Sequence, residues 1–274
     1  MENKIYVVNL RGEKEPFSFR KVYQSARNAG ASKELALEIA KEIEKEIFDG
    51  ISTSQIFERI FELLLKKSAR SAIKFNLKRA IEKLGPTGFP FEKFVAKIFE
   101  FEGFEVKTNQ IIPGFCVDHE VDFLAKKENL VYVGECKFRQ EPGGRVDLKA
   151  ALANFASFLD IQKGKFLNSK LEYKSILVTN AKFTKEATKY SECVGVKLLG
   201  WKYPKGSGLE FLIEKNQIYP VTILPSVTSP IAKELISQGI VLVKEIFEKK
   251  FKEIKIPKKE KILKEGEILL QNEP

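Results

Sequence analysis

The sequence predicts an α/β protein whose largest domain is a mixed β-sheet flanked by helices. Residues 86–200 carry, in order, the patterns of a helix, three strands, a helix, a strand, a helix and a final strand. Strands that alternate with helices form sheets covered on both faces. The stretch 175–179 is mainly apolar, as expected of a strand buried on both faces. The chain of 274 residues is long enough for about two domains.

The first segment, residues 1–84, is predicted to be mostly helical after an opening β-hairpin. Its predicted elements are a strand at 4–8, an extended piece around 16–19, and helices that begin after Ser32, at Thr53 and near residue 69, the last ending near 83. Gly85-Pro86 ends the segment as a natural domain boundary.

The second segment, residues 85–202, holds the predicted sheet, and the third, residues 203–274, is predicted to be a small helical piece. The elements predicted for the second segment are helix 91–101, strands 104–107, 117–125 and 130–138, helix 145–159, strand 175–179, helix 184–193 and strand 195–199. The third segment contains predicted helices at 230–238 and 240–252. It ends in a tail rich in lysine and glutamate, which is expected to be mobile.

Composition and charge exclude several classes of function. Lys and Arg number 47 against 37 Asp and Glu, and this net charge of +10 favours a polyanionic partner. The single histidine, His119, rules out chemistry built on several histidines. The three cysteines lack metal-ligand spacing, and a sparse, odd number fits a reducing cytoplasm. Because the chain shows neither a signal-peptide pattern nor an apolar run of membrane-spanning length, a cytoplasmic protein without a membrane partner is expected.

Two acidic residues and a lysine come together on the predicted hairpin at 117–138. A turn centred on Glu128-Asn129 places Asp122 directly opposite Glu135, and such cross-strand partners have Cβ atoms about 5 Å apart. Alternation along the strand puts Lys137 on the same face as Glu135. Adjacent carboxylates repel each other unless a cation lies between them, and hard oxygen ligands suit Mg²⁺. The constellation is a candidate metal site; a surface hairpin whose Glu135 and Lys137 merely pair is the alternative.

Asp122 followed by Glu135-Cys136-Lys137, in this order of helices and strands, resembles the PD-(D/E)XK nuclease superfamily. Within it, the chain resembles the Mrr-like restriction endonucleases over about residues 86–200. The other stretches that carry the resemblance are residues 87–92, 177–180 and 195–201. The resemblance implies a restriction-endonuclease-like fold and a DNA-cleaving enzyme that uses Mg²⁺ or Mn²⁺.

The same resemblance implies a role for each residue of the site. Asp122 and Glu135 hold the metal, together with the backbone carbonyl of Cys136. Lys137 orients or activates the attacking water and offsets negative charge near the phosphate. Glu92, on the helix that leads into the sheet, extends the metal shell. The residues expected at the rim are Asp118, His119 and Glu120, with His119 as a loop residue rather than a metal ligand.

The N-terminal segment resembles the ATP-cone domain, which binds ATP or dATP as an allosteric ligand. The stretches that carry this resemblance are residues 7–12, 15–21 and 49–56 and the closing helix with Lys78-Arg79. The nucleotide site implied by position consists of Lys21 and Thr53, surrounded by Val7, Glu15 and Ser18. The family carries a phosphate-binding Lys-Arg pair where this chain has Asn9 and Leu10, and Arg11, one residue displaced, is the candidate replacement. A cone retained only for docking or dimerisation is the alternative.

The sequence therefore predicts a Mg²⁺-dependent DNA endonuclease of the restriction type, regulated by ATP or dATP. Two alternatives stay open. One is a non-catalytic, nucleotide-sensing regulator that binds DNA through a degenerate nuclease fold, although the chain lacks the cysteine quartet that such regulators carry in a zinc ribbon. The other is a structure-specific nuclease similar to a Holliday-junction resolvase, which implies a homodimer.

Overall fold

The computed structural model describes residues 5–85, 87–141, 143–164 and 166–271. These residues belong to two compact units, each with its own arrangement of elements. The first unit comprises the chain up to Ala80, Thr222–Ile231 and the chain from Lys255, and the second comprises Ile81–Val221 and Ala232–Ile254. Lys4 of the predicted first strand and Pro86 of the predicted boundary lie outside the described residues. The division into three domains at residues 84 and 202 stays a prediction.

The N-terminal part of the chain is a β-hairpin followed by helices. Its elements are β1 (Tyr6–Val8), β2 (Lys14–Pro16), α1 (Phe19–Asn28), α2 (Lys33–Glu46), α3 (Thr53–Lys67), α4 (Ala69–Phe75) and α5 (Leu77–Glu82). Four serines, Ser18, Ser32, Ser52 and Ser68, each accept a backbone N–H three residues further on and so cap α1 to α4. Each cap contributes about 1 kcal/mol. Helix α1 begins within the predicted extended piece, and the helix predicted over 69–83 is interrupted at Asn76.

The second unit is built around a mixed β-sheet. Its elements up to the last strand are α6 (Phe89–Phe101), β3 (Glu105–Pro113), β4 (Asp118–Lys127), β5 (Leu130–Cys136), β6 (Arg145–Val146), α7 (Leu148–Lys163), β7 (Glu172–Val178), β8 (Lys182–Phe183), α8 (Lys185–Val194) and β9 (Lys197–Leu199). Five strands form the main sheet in the order β3-β4-β5-β7-β9. β3, β4 and β5 are antiparallel, whereas β5, β7 and β9 are parallel. The predicted mixed α/β sheet is therefore confirmed.

Two elements of the sheet region differ most clearly from their predicted bounds. β3 has nine residues, because it continues well beyond the predicted strand 104–107. The helix predicted from residue 145 begins instead at Leu148. Its first two predicted residues form β6, which pairs with β8 as a short parallel ladder.

Helices cover both faces of the main sheet. The ring of Tyr132 in β5 contacts the ring of Phe99 in α6, with 6.1 Å between the centroids. The next residue, Val133, packs with Phe158 and Ile161 of α7. Since successive side chains of a strand point to opposite faces, α6 and α7 lie on opposite sides of the sheet. Burial on both sides fixes the strand register, because a slip of one residue would reverse every side chain.

The C-terminal part of the chain is helical but does not follow the prediction. Its elements are α9 (Leu209–Asn216), a 3₁₀ turn (Val221–Ile223), α10 (Ser229–Ser237), a second 3₁₀ turn (Val243–Phe247), α11 (Lys249–Glu253) and α12 (Lys259–Leu270). The single helix predicted over 240–252 is wrong, because Val243 donates its N–H to the carbonyl of Tyr219 at 2.8 Å. The predicted mobile tail is also wrong, since α12 buries Ile262 and Leu269. Across the described residues, every helix is too short or too polar to span a bilayer.

Glu265 anchors α12 within the first unit. Its carboxylate, 8% exposed, accepts the backbone N–H of Ser226 at 2.9 Å and the Ser226 hydroxyl at 2.7 Å. We expect Glu265→Ala to lower the free energy of unfolding by about 2 kcal/mol, because two buried donors lose a charged acceptor. Urea denaturation followed by circular dichroism measures the change. Glu267→Ala, at an exposed position of the same helix, is the control, and equal losses in the two variants would contradict this role.

Candidate active site

The predicted carboxylates lie where β4 separates from β5. The pairing of the two strands ends at Phe123 and Gly134. The next positions in this register are Asp122 and Glu135, which therefore stand opposite each other, as predicted from the turn. β5 continues beside β7 as far as Cys136. The two strands thus open into a fork with one acidic residue on each arm.

At the opening of the fork, the Asp122 side chain takes the place of a backbone acceptor on β4. Its Oδ2 accepts the backbone N–H of Cys136 at 2.6 Å. The Cys136 side chain is buried, as expected of a residue that faces away from the carboxylates. On the other side of β4, the register sets Asn109 of β3 opposite Asp122, and Asn109 has a left-handed φ of 51°. Asp122 therefore lies at an irregular position with respect to both neighbouring strands.

Lys137 is fixed by the residues that follow β7. Its Nζ donates to the Glu135 carboxylate, and its backbone carbonyl accepts the Thr179 hydroxyl at 2.5 Å. Two residues further on, Arg139 donates its N–H to Asn180 Oδ1 at 2.8 Å and accepts from Asn180 Nδ2 at 2.7 Å. Thr179 and Asn180 are fully buried. Both residues belong to the stretch 177–180 that carries the resemblance to the restriction endonucleases, but no role was predicted for them. The sequence feature that could have indicated this role is a pair of polar residues directly after an apolar strand.

The electrostatics of the fork connect four of the predicted residues. Burial, followed by the negative charge of Glu135, raises the pKa of Asp122 to about 7, and the Lys137 ammonium acts in the opposite direction. Burial and the charges of Glu135 and Glu120 raise the pKa of Glu92 as well. Glu92, Asp122, Glu135 and Lys137 therefore share one electrostatic environment, which Glu120 joins from the rim.

A pocket of about 190 Å³ adjoins Glu135 and Lys137. Glu120 lines it from β4, and Asn154 and Ser157 line it from α7. The two α7 residues were not predicted as part of the site; their sequence signal is a polar interruption on a largely apolar helix.

Gly134 allows β5 to pass directly against the ring of Phe123. A Cβ atom at position 134 would lie 2.2 Å from that ring, which is impossible without displacement. The ring is fully buried and contacts Phe99 of α6, with 4.9 Å between the centroids. Because Gly134 precedes Glu135 and Phe123 follows Asp122, this contact sets the spacing of the two carboxylates.

The fit of the fork to a divalent cation depends on its acidic pair. Within the ranges that the structure describes, no three His, Cys, Asp or Glu side chains are close enough to form a complete metal shell. Asp122 and Glu135 nevertheless offer the hard oxygen ligands that Mg²⁺ prefers. Their mutual repulsion, which adds to burial in raising the pKa of Asp122, is the unfavourable interaction that a cation would relieve.

Most of the residues predicted for a nucleotide site line one pocket of the first unit, which has a volume of about 170 Å³. They are Val7, Glu15, Ser18, Lys21 and Thr53. Three aromatic rings, those of Phe17, Phe57 and Phe75, line the same pocket. At its rim, Lys21 Nζ lies 2.9 Å from the Glu15 carboxylate. Arg11 does not line the pocket, so the structure does not bring it together with the other five.

The raised pKa of Asp122 predicts a pH-dependent cost to stability. Between its ordinary pKa of 3.8 and about 7, the folded state holds the proton more tightly, so stability falls as the pH rises through this range. We expect Asp122→Asn, which mimics the neutral form, to raise the Tm at pH 8 in EDTA by about 2–4 °C and to leave it unchanged at pH 4. Differential scanning calorimetry measures both. The same shift at both pH values would contradict the assignment.

Two family models match separate stretches of the chain. Residues 86–201 match the restriction endonuclease family model, and residues 219–270 match the model of the AF1548-like C-terminal region. An uncharacterized protein of Archaeoglobus fulgidus is 39% identical over 163 residues, which is 58% of this chain and 89% of that protein.

Two solved structures resemble the chain to different degrees. The crystal structure of AF1548, a protein of unknown function, has a TM-score of 0.57 at 35% identity and covers 67% of this chain and 98% of that chain. The MspJI restriction endonuclease in complex with a 27-mer oligonucleotide has a TM-score of 0.33 at 13% identity, over 85% of this chain and 48% of that one. The second score is too low for a shared fold to be inferred from it. The first relative and AF1548 are matched over nearly their whole lengths, and the chain therefore belongs to the AF1548-like family.

Proposed function

We propose that this protein is a DNA endonuclease that hydrolyses phosphodiester bonds with Mg²⁺ or Mn²⁺. The observation that carries the proposal is the fork between β4 and β5, where Asp122, Glu135 and Lys137 meet. Hydrolysis of a phosphodiester requires an attacking water and stabilisation of the charge that builds on the phosphate oxygens. The match of residues 86–201 to the restriction endonuclease model supports this chemistry and supports DNA as the substrate.

The donor set of the fork suits a hard divalent cation. Asp122 and Glu135 would hold the metal, and the carbonyl of Cys136 is proposed as a further ligand. Glu92, which does not form a three-carboxylate cluster with them, would extend the metal shell from further out. The raised pKa values of Asp122 and Glu92 support this assignment, because carboxylates that repel each other gain most from a shared cation. When bound, the metal would polarise the phosphate and lower the pKa of the attacking water.

Lys137 supplies the positive charge that the chain itself brings to the reaction. Its ammonium pairs with Glu135, and its side chain is 38% exposed, so it is accessible to a phosphate. The bond from Thr179 holds its backbone carbonyl, so only the side chain needs to turn towards a phosphate oxygen or the attacking water. In this position it would orient the water and offset charge on the phosphate.

Charge and site composition favour a nuclease over a DNA-binding regulator without activity. A net charge of +10 suits the phosphate backbone in either case. A regulator, however, has no need for a partly buried carboxylate whose pKa is raised by its burial and by a second carboxylate nearby. A resolvase-like nuclease would use the same fork, and differs in the shape of the DNA that it cuts and in acting as a homodimer.

Nuclease assays with a matched lysine variant test the proposal. We expect Lys137→Ala to lower the cleavage rate by about 100-fold, because it removes the cation next to the reacting phosphate. Purified protein is incubated with plasmid, methylated DNA and a four-way junction, each with Mg²⁺, with Mn²⁺ or with EDTA. Cleavage of the junction alone would indicate the resolvase-like alternative.

Lys174→Ala is the control for this experiment. Lys174 lies in β7 of the same sheet and pairs at 2.7 Å with Glu172, two residues before it, as Lys137 pairs with Glu135. The two lysine side chains have similar exposure, but Lys174 is not beside the fork. Its loss should leave the rate unchanged. Equal rates in both variants would remove Lys137 from the mechanism. Tight DNA binding by the wild type without cleavage under any of these conditions would favour the regulator.

We further propose that the first unit binds ATP or dATP as an effector. The favouring observation is the pocket lined by Val7, Glu15, Ser18, Lys21 and Thr53. Its aromatic rings offer a surface for the base, and Lys21 at the rim offers a charge for the phosphates.

Isothermal titration calorimetry with ATP and dATP tests the effector site. We expect Lys21→Ala to weaken binding by about 10-fold or more, because a charge-assisted contact to a phosphate is lost. Lys45→Ala is the control, since Lys45 is equally exposed and pairs with Glu42 at the same distance of 2.9 Å on α2. Arg11→Ala tests whether that residue contributes from outside the pocket. Absence of heat with either nucleotide would leave the domain a docking or dimerisation module.

A further inference from the structure

Three exposed apolar side chains cluster around the connection between β3 and β4. Ile111 is 72% exposed, Phe115 71% and Val117 60%. Isolated apolar residues are common on protein surfaces, but three within seven residues, at the end of β3 and on the connection after it, are the kind of feature that marks a contact site. We call this cluster the apolar tip. Exposed apolar side chains lower solubility, so a cluster of them suggests a binding role. The position of the apolar tip and the bonds that hold it indicate which one.

The apolar tip is held rigidly by one residue of α7. Phe115 donates its N–H to the backbone carbonyl of Asp160 at 3.0 Å, Cys116 donates to Oδ1 at 3.0 Å, and Val117 donates to Oδ2 at 3.3 Å. His119 Nε2 lies 2.8 Å from the same Oδ2. These bonds, led by that of His119, lower the pKa of Asp160 to about 2, so the carboxylate stays charged at neutral pH. Three consecutive N–H groups fixed by one residue hold the backbone from which the Phe115 ring projects.

The apolar tip adjoins the candidate active site through strand pairing. Ile111 of β3 is paired with Glu120 of β4, and cross-strand partners lie side by side on the same face. Glu120 in turn lines the same pocket as Glu135 and Lys137. Asp118, at the start of β4, is four residues from Asp122, which corresponds to about 14 Å along a strand. The apolar tip therefore lies within reach of a duplex that places a phosphate at the fork.

The area of the apolar tip argues against a second copy of this chain as its occupant. Three partly exposed side chains offer roughly 300–400 Å², whereas a stable interface buries about 800 Å² on each partner. A single projecting aromatic ring with aliphatic neighbours is instead the shape that enters a stack of bases. Proteins that kink DNA insert Phe, Leu, Ile or Met between base steps in this way.

We propose that Phe115 is a wedge that inserts between two base pairs of the DNA bound at the fork. Ile111 and Val117 contact the sugars or bases on either side of the inserted ring. The inference rests on the proposed nuclease function and assigns its specificity to deformable steps in the duplex, which cost least to unstack. Because Asp160 holds the tip in place before binding, little conformational entropy is lost when the ring inserts.

Duplexes with 2-aminopurine at successive positions test the wedge, since the emission of this base rises where stacking is broken. The full-length protein is titrated with EDTA in place of metal, so that the DNA stays intact. We expect the wild type to raise the emission at one step. Phe115→Ser should abolish that rise and weaken binding by about tenfold. Asp160→Asn, which leaves the ring but loosens its support, should reduce the rise.

Phe211→Ser is the matched control, because Phe211 is a phenylalanine of α9 that is 48% exposed in the same unit. It should leave emission and affinity unchanged. An undiminished rise in 2-aminopurine emission with Phe115→Ser overturns the wedge. The wedge is also overturned if Phe115→Ser changes only the self-association of the protein in sedimentation, because a second copy would then be the occupant of the apolar tip. If Mg²⁺-dependent cleavage persists and Phe115→Ser matches the wild type, only the wedge fails. A wild type that neither binds nor cuts DNA overturns the proposed function and the wedge together.

Discussion

The separation of β4 from β5 is the constraint on which the rest of the site depends. Two paired strands satisfy each other's backbone groups, so a strand that leaves its neighbour must find other partners for them. Here the Asp122 carboxylate accepts the N–H of Cys136, and the end of β7 holds the chain beyond it through Thr179 and Asn180. These bonds therefore take the place of strand pairing at the opening. The opening is also the place where acidic groups can approach a ligand without occupying the core.

A Glu and a Lys two residues apart on a strand do not by themselves make this site. The same spacing occurs in β7, where Glu172 and Lys174 form an ion pair at the beginning of the strand. Both strands belong to one sheet, and their two lysines have comparable exposure. What distinguishes Glu135 is the partly buried carboxylate of Asp122 across the fork, whose pKa is raised by its burial and by the charge of Glu135. The neighbouring strand β4, which brings Asp122 to the site, is therefore what distinguishes this Glu-Lys pair from the pair in β7.

The sequence predicted what depends on neighbouring residues and on alternation. The turn at Glu128-Asn129 gave the register, and apolar alternation gave the order of the sheet elements. It did not reveal α12, because lysines dilute an apolar spacing that becomes clear only once Ile262 and Leu269 are seen to be buried. The supporting bonds were equally hidden. Asp160 lies more than forty residues from the tip that it fixes, and contacts of this range depend on the completed fold.

The contact between Gly134 and Phe123 links the geometry of the carboxylates to the hydrophobic core. The ring that forbids a side chain at position 134 also packs on Phe99 of α6, on the side of the sheet that α6 covers. The two positions should therefore vary together among relatives, a larger residue at 134 being admissible only with a smaller one at 123. Selection on the spacing of the two carboxylates would then act on residues that lie beneath the site and not in it. In the family, that spacing would be inherited through the packing of the core.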